Sequence, residues 1–321
     1  MIPIRDTVPS KNYPVVNNTI IGINAAVFLV QMFQGNPDRF VYFYGLVPAR
    51  YSIPEISFYF TTFQQIVSLI SFMFLHGGFW HLLGNMWSLY IFGDNVEDSL
   101  GHLRYFVFYM LCGITSGVSH LVLNFHSNIP TVGASGAIAG VMGAYFLLYP
   151  GSRILTLIPI IIIPWLIEIP AFIFLGIWFV MQMLYAAGSH AGSAGIAWWA
   201  HIGGFVFGIV FLKVFQAYPG VGAVKSINAV TTRKKTDHLQ VIQPAAQGDS
   251  PHMYGSIMIS IYEAMTGTRK TVNIPWGFYN RFFQVSIPAG AKEGTVLRLN
   301  GLGKILPDGQ RGDLYLKVVI R

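Results

Sequence analysis

The sequence predicts an all-α polytopic membrane protein with a six-helix core, followed by a small antiparallel β-domain. Three observations carry this. The 321 residues are 53% hydrophobic and only 10% charged, against roughly 25% charged in a soluble domain, and the mean hydropathy is +0.53. Six apolar segments recur through the first two thirds of the chain. After about residue 253 the hydrophobic pattern switches to the two-residue alternation of strands.

A bilayer core needs about 20 mostly apolar residues per helix. Six segments approach this: 16–34, 78–93, 103–124, 134–150, 166–187 and 197–216, the second and fourth short and rich in glycine. Arg5 and Lys11 precede the first span, but no small-residue cleavage site follows it, so it reads as a membrane helix and not a removable signal. The stretch Ile154 to Glu168 is apolar but broken by Pro159 and Pro164, and reads as a loop and helix start. The expected organisation is a membrane domain at 1–216, a charged linker at 217–252 and a β-domain at 253–321.

Loop charges set the expected direction. The segments after spans three and five (126–132 and 188–197) lack Lys and Arg, whereas Arg5, Lys11, Arg153, Lys213, Lys225 and Arg233-Lys234-Lys235 lie on the other side. The positive-inside rule then puts both termini in the cytoplasm. Arg39 and Arg50, in the long first loop at 35–77, run against the trend. The net charge of +7 flanks hydrophobic spans instead of clustering between aromatic platforms, so nucleic acid is not an expected partner. The single cysteine, Cys112, permits no intrachain disulfide and no cysteine-based metal site, and reads as a small buried hydrophobe.

With that topology, spans two, four and six all begin at the outer side. Their first turns carry His81 and Asn85, Ser135, and His201, so four polar groups from three helices fall at similar depth. Polar groups are costly in hydrocarbon and mark function there. A serine hydroxyl becomes a useful nucleophile when a neighbouring base takes its proton, and histidine suits that role near neutral pH. The approach of Ser135 to His201 is made possible by small residues at four-residue spacing: Gly136, Gly140 and Ala144 on one helix, Ala200, Gly204 and Gly208 on the other. A mere helix cap would explain Ser135 but not His201. His81 and Asn85, at i and i+4 on one face, join the Ser135 amide as candidate oxyanion donors. Asp94, Glu97, Asp98 and Glu168 fall on the cytoplasmic side, so a Ser–His dyad is expected, with no carboxylate and no cofactor. The group that orients His201 is not identifiable. His76, His102, His120, His126 and His190 show no convergent arrangement, and no His-Glu-x-x-His pattern occurs.

Four motifs then stand together: Phe74-Leu-His-Gly-Gly-Phe-Trp-His-Leu-Leu-Gly-Asn85, Phe92-Gly-Asp-Asn-Val-Glu-Asp98, Gly133-Ala-Ser-Gly136 and Ala200-His-Ile-Gly-Gly204. With them, residues 15–215 resemble the rhomboid family of intramembrane serine proteases. The resemblance implies a six-helix core, Ser135 as nucleophile, His201 as general base, and an oxyanion site from His81, Asn85 and the Ser135 amide. It also implies transmembrane segments of other proteins as substrates, entering near spans two and five and cut near the outer leaflet. Many relatives place an aromatic residue one turn after the serine to support the histidine ring. Here that position is Ala139.

In the tail, Ile257, Ile259 and Ile261 alternate, as do Val285 and Ile287, then Leu314, Leu316, Val318 and Ile320, separated by turns such as 288–290, 301–303 and 307–309. The stretches Tyr262-Glu-Ala-Met-Thr-Gly267, Val285-Ser-Ile-Pro-Ala-Gly290, Leu297-Arg-Leu-Asn-Gly-Leu-Gly303 and the Gly312–Ile320 strand are similar to the C-terminal client-binding domain of DnaJ (Hsp40) co-chaperones. The family's His-Pro-Asp tripeptide and cysteine repeats are missing. The expected role is capture of an extended peptide client or a chaperone at a strand edge, with an oligomerisation module as the alternative. The Arg233-Lys234-Lys235 triplet reads as stop-transfer charge or as a contact to anionic lipid. The expected setting is the lipid bilayer of a bacterial inner membrane. The competing reading of the whole chain is a catalytically silent, client-binding adaptor. A transporter would want charged groups at mid-membrane depth, for which only Glu168 offers itself.

Overall fold

The computed structural model describes residues 1–8, 10, 12–160, 163–188, 197–218, 239–246, 250–275, 281–306 and 310–320. Lys11, His190, Lys225, the Arg233-Lys234-Lys235 triplet, most of the segments at 188–197 and 217–252, and the turn at 307–309 lie outside the described residues. The chain forms two compact units, Met1–Arg233 and Lys234–Arg321.

The first unit begins with strand β1 (Ile2–Asp6) and helix α1 (Val15–Met32). Four short helices occupy the first long loop: α2 (Pro37–Tyr44), α3 (Ala49–Ser52), α4 (Pro54–Ser57) and α5 (Thr62–Ser71). Then come α6 (Phe79–Leu100), α7 (His102–Leu123), α8 (Ser135–Leu148), strands β2 (Arg153–Ile160) and β3 (Ile163–Pro170), α9 (Ala171–Gly188) and α10 (Trp198–Ala217). Four of these, α1, α7, α9 and α10, are long and apolar enough to cross a membrane. Thr62–Phe74 and α6, bent by 76° at the break between them, are long and apolar enough only when taken together. Against the six candidate spans expected, two of them short, the described residues thus hold four helices of spanning length, or five if that bent pair counts as one. Helix α8, with 14 residues, is only about 21 Å long at 1.5 Å per residue, short of a hydrocarbon core of about 30 Å. Its residues from Gly136 to Tyr145 are continuously buried, so it is lined by protein all round and has no need of a lipid-spanning length.

The stretch Ile154–Glu168 is not a loop. Strands β2 and β3 pair antiparallel in unbroken register from Arg153 opposite Pro170 to Ile160 opposite Ile163, and β1 adds antiparallel to β2. A run apolar on both faces conceals the two-residue alternation. The two prolines that suggested a break face each other, Pro159 opposite Pro164, close to the hairpin end where proline is tolerated. Because β3 uses residues up to Pro170, the following helix starts at Ala171 and not near 166.

Two charge patterns read from sequence acquire specific causes. Arg50 is fully buried: its guanidinium lies 3.8 Å from the Phe60 ring centroid and donates to the Phe43 carbonyl at 3.0 Å. It is a packed residue of α3, not a free topology charge. The carboxylates ending α6 serve the start of α1. Glu97 accepts from the Val16 and Asn17 amides at 3.0 and 2.7 Å, and Asp98 accepts from the Asn12 amide at 3.0 Å. Anionic groups are favourable at a helix N-terminus, where amides lack partners.

In the second unit the strands are β4 (Leu239–Val241), β5 (Ala245–Ala246), β6 (Met253–Ile259), β7 (Thr268–Asn273), β8 (Phe282–Ile287), β9 (Val296–Leu299) and β10 (Leu314–Ile320), with helix α11 (Ile261–Thr266) between β6 and β7. They form two sheets, ordered β5-β6-β10-β9 and β4-β7-β8. The pairing is mixed, not purely antiparallel: β10 runs parallel to β6 and β4 parallel to β7. Ile257, Ile259, Val285, Ile287, Leu314, Leu316 and Val318 form the core as their alternation predicts. Ile261 does not continue that strand. Ser260 and Glu263 make a reciprocal capping box that starts α11 there, and Ile261 is exposed.

Candidate active site

Ser135 is the first residue of α8. The preceding chain turns sharply at Gly133, whose φ of +126° is a conformation that glycine adopts without steric cost. No side chain caps α8, so the Ser135 hydroxyl is not engaged in capping. Its Oγ lies 2.7 Å from Nε2 of His201, in the first turn of α10. The other ring nitrogen of His201, Nδ1, lies 2.7 Å from Oε1 of Gln182 on α9. The ring centroid is 6.0 Å from that of Trp178 and 6.1 Å from that of Trp198. The aromatic support missing at Ala139 is thus supplied from α9 and from the start of α10.

Glycine sets this distance. A Cβ on Gly204 would lie 2.0 Å from the Gly136 carbonyl oxygen, and one on Gly208 would lie 2.2 Å from that of Gly140. Gly136 also faces Ser116 and Gly140 faces Cys112, a Cβ at either position falling 2.1 or 2.5 Å from those side chains. Helices α8 and α10 touch backbone to backbone along this line. Small residues at four-residue spacing allow such an approach, and it brings the first turns of the two helices together.

Helix α6 brings the other two polar groups. His81 packs over Gly133, where a Cβ would fall 2.8 Å from its Nε2. The Gly77 amide donates to His81 Nδ1 at 3.2 Å, so a neutral His81 carries its proton on Nε2 and presents a donor. Asn85 is 8% exposed, and its Nδ2 is buried without a hydrogen-bond partner. A cavity of about 510 Å³ is lined by His81, Asn85, Gly133, Ser135 and His201 among others. An unpaired buried donor beside a cavity is costly unless something enters to accept from it.

Three other described histidines make contacts of their own. His102 pairs with Glu97, His120 contacts Thr131 at 2.9 Å, and His76 packs its ring against His81 with centroids 5.2 Å apart. Among the described residues no group of three or more His, Cys, Asp or Glu could hold a metal ion. Sequence reading missed Gln182. Its signal was present: it is the only amide side chain in the apolar 18-residue α9, and polar groups in such helices are expensive.

A polytopic helical unit with a half-buried serine against a buried histidine, each at a helix start beside a cavity, defines a narrow class of membrane protein. Comparison with known families agrees. Residues 64–218 match the Rhomboid domain family, and residues 252–321 match the DnaJ C terminal domain. The chain thus carries a segment similar to the Rhomboid domain, followed by one similar to the DnaJ C terminal domain. It is 29% identical over 201 residues to "Rhomboid protein 1, mitochondrial" of Saccharomyces cerevisiae, covering 60% of this chain and 51% of that protein. It is 26% identical over 212 residues to "Rhomboid-like protein 11, chloroplastic" of Arabidopsis thaliana, covering 62% of this chain and 65% of that one. The C-terminal part is 37% identical over 73 residues to a DnaJ-like protein of Synechocystis, covering 23% of this chain and 21% of that one. The chain thus spans about half to two thirds of the length of these two rhomboid relatives.

Proposed function

We propose that the protein is an intramembrane serine endopeptidase that hydrolyses peptide bonds in or near transmembrane segments of other membrane proteins. The observation that carries this reading is the 2.7 Å contact from Ser135 Oγ to His201 Nε2. In this mechanism His201 takes the Ser135 proton as Oγ attacks the scissile carbonyl, then returns it to the leaving amine. The developing oxyanion takes hydrogen bonds from Asn85 Nδ2, His81 Nε2 and the Ser135 amide, the last favoured by its place at a helix N-terminus. The unpartnered Nδ2 of Asn85 supports that assignment. We place the protein in a lipid bilayer with both termini cytoplasmic. The match of residues 252–321 to a DnaJ C-terminal domain favours a second, compatible role, in which the tail delivers extended polypeptide clients to the membrane domain.

The experiment is cleavage of a fluorescent transmembrane peptide by purified protein in lipid, beside the Ser135→Ala variant. Cleavage present in the first and absent in the second is the expected result. Absence of cleavage over a panel of helices with small residues near the outer boundary would favour a silent, client-binding protein instead.

A further inference from the structure

We propose that Gln182 is a positioning residue for the reaction: it fixes the tautomer of His201 that leaves Nε2 free to take the Ser135 proton. This deepens the proteolytic reading and rests on it. Gln182 is only 5% exposed, in a helix that otherwise has no amide side chain. Burying a primary amide costs free energy unless both of its ends find partners. Both do. Nε2 donates to the Trp178 carbonyl, one turn earlier, at 3.3 Å, which turns Oε1 toward His201 Nδ1 at 2.7 Å.

An amide oxygen only accepts, so Nδ1 is the nitrogen that carries hydrogen. A neutral imidazole has one N–H, and Nε2 is therefore a bare acceptor facing the Ser135 hydroxyl. When the Oγ–H bond breaks and Oγ bonds to the acyl carbon, the carbonyl electron pair moves to oxygen and the proton goes to Nε2. The imidazolium keeps donating Nδ1–H to Oε1, so the contact persists through the step. On collapse Nε2–H passes to the leaving amine. The amide does the orienting work of a third triad member without its charge, and spares the site a buried carboxylate. The ring is held edge and face by Trp198 and Trp178. The titratable groups that act on His201 from the neighbouring helices are His81 on α6 and His120 on α7.

The test compares wild type, Gln182→Met, Gln182→Glu and Ser135→Ala, purified and reconstituted in lipid, for kcat and KM of transmembrane-peptide cleavage from pH 5 to 9. Met keeps the bulk and removes the acceptor. We expect kcat to fall about 10- to 100-fold with KM within about twofold, a part of the roughly 10²- to 10⁴-fold that positioned proton transfer supplies. Glu restores the acceptor and adds charge. We expect it to recover most of the lost kcat while moving the acid limb of the kcat profile upward by about one pH unit or more, as an anion beside the imidazole stabilises its protonated form. Wild-type kcat in Gln182→Met with Ser135→Ala inactive overturns this inference alone. Equal loss in the Met and Glu variants with an unmoved acid limb overturns it too, since that pattern belongs to packing. Full cleavage by Ser135→Ala overturns the proteolytic reading itself.

Discussion

Gly204 rests directly on the main chain of Gly136: a Cβ at position 204 would lie 2.0 Å from the Gly136 carbonyl oxygen. The obstacle is backbone and cannot rotate away, so the whole of α10 must move off α8. Ser135 and His201, one residue before Gly136 and three before Gly204, would separate with it. Gly204→Ala is expected to destabilise the protein by about 1–3 kcal/mol, the usual cost of overpacking, and to reduce cleavage by more than its loss of folded protein explains. Gly176 on α9 has nothing within 4 Å of a Cβ, so Gly176→Ala is the control and should leave both properties intact. Thermal midpoint and cleavage rate, measured on the same preparation, check this.

Asn85 separates function from stability. Its Nδ2 has no partner in the folded protein, so truncation removes no internal hydrogen bond there. Asn85→Ala is expected to lower kcat about 100- to 1,000-fold, the scale of losing one oxyanion donor, with a small change in thermal midpoint. Unchanged kcat would remove Asn85 from the oxyanion site.

Asp6 on β1 makes stability depend on pH. Its carboxyl accepts from the Tyr145 hydroxyl at 2.5 Å, yet burial outweighs that bond and raises it to about 6 from 3.8. The folded protein then holds this proton more tightly than the unfolded chain does. The stabilisation is complete below about pH 4 and is lost as pH rises through about 6. The wild-type minus Asp6→Asn difference in thermal midpoint should fall between those values and level off above them. Its size is at most about 3 kcal/mol, reduced by partial solvent screening. A flat difference would contradict the assignment.

Much of this arrangement was legible because the physics is local. A glycine every fourth residue in two apolar helices specifies close approach wherever those helices meet, and a serine and histidine at their starts must then meet too. Other features needed the third dimension. Nothing along the chain aims the amide of Gln182 at His201, because the two lie 19 residues apart on different helices. The β2–β3 hairpin was hidden by an apolar run with no polar face to mark its period. Strand alternation marked Ile257, Leu316 and Val318 as core but carries no direction, so the parallel pairing of β6 with β10 could not be read from it. The Ser260–Glu263 spacing specifies a capping box, and that local signal outweighs the alternation that would carry the strand on through Ile261.

In the C-terminal unit, Lys270 is 9% exposed, and its ammonium donates to Glu263 at 2.8 Å and to the Met258 carbonyl at 3.2 Å. Glu263 also closes the α11 capping box. Glu263→Ala therefore strands a nearly buried charge and removes a cap at once. A loss of about 1–3 kcal/mol is expected, seen as hydrogen exchange of the β7 amides at least about tenfold faster. Unchanged exchange would mean that Lys270 finds another partner at no cost.

On the proposed mechanism Ser135 is a nucleophile activated by His201. A fluorophosphonate reports this directly, because Oγ displaces fluoride at phosphorus and the adduct is located by peptide mass mapping. Wild-type protein in lipid should carry one adduct, on Ser135, with labelling abolished in His201→Ala. Labelling elsewhere, none at all, or labelling of Ser135 that persists without His201 would contradict the account.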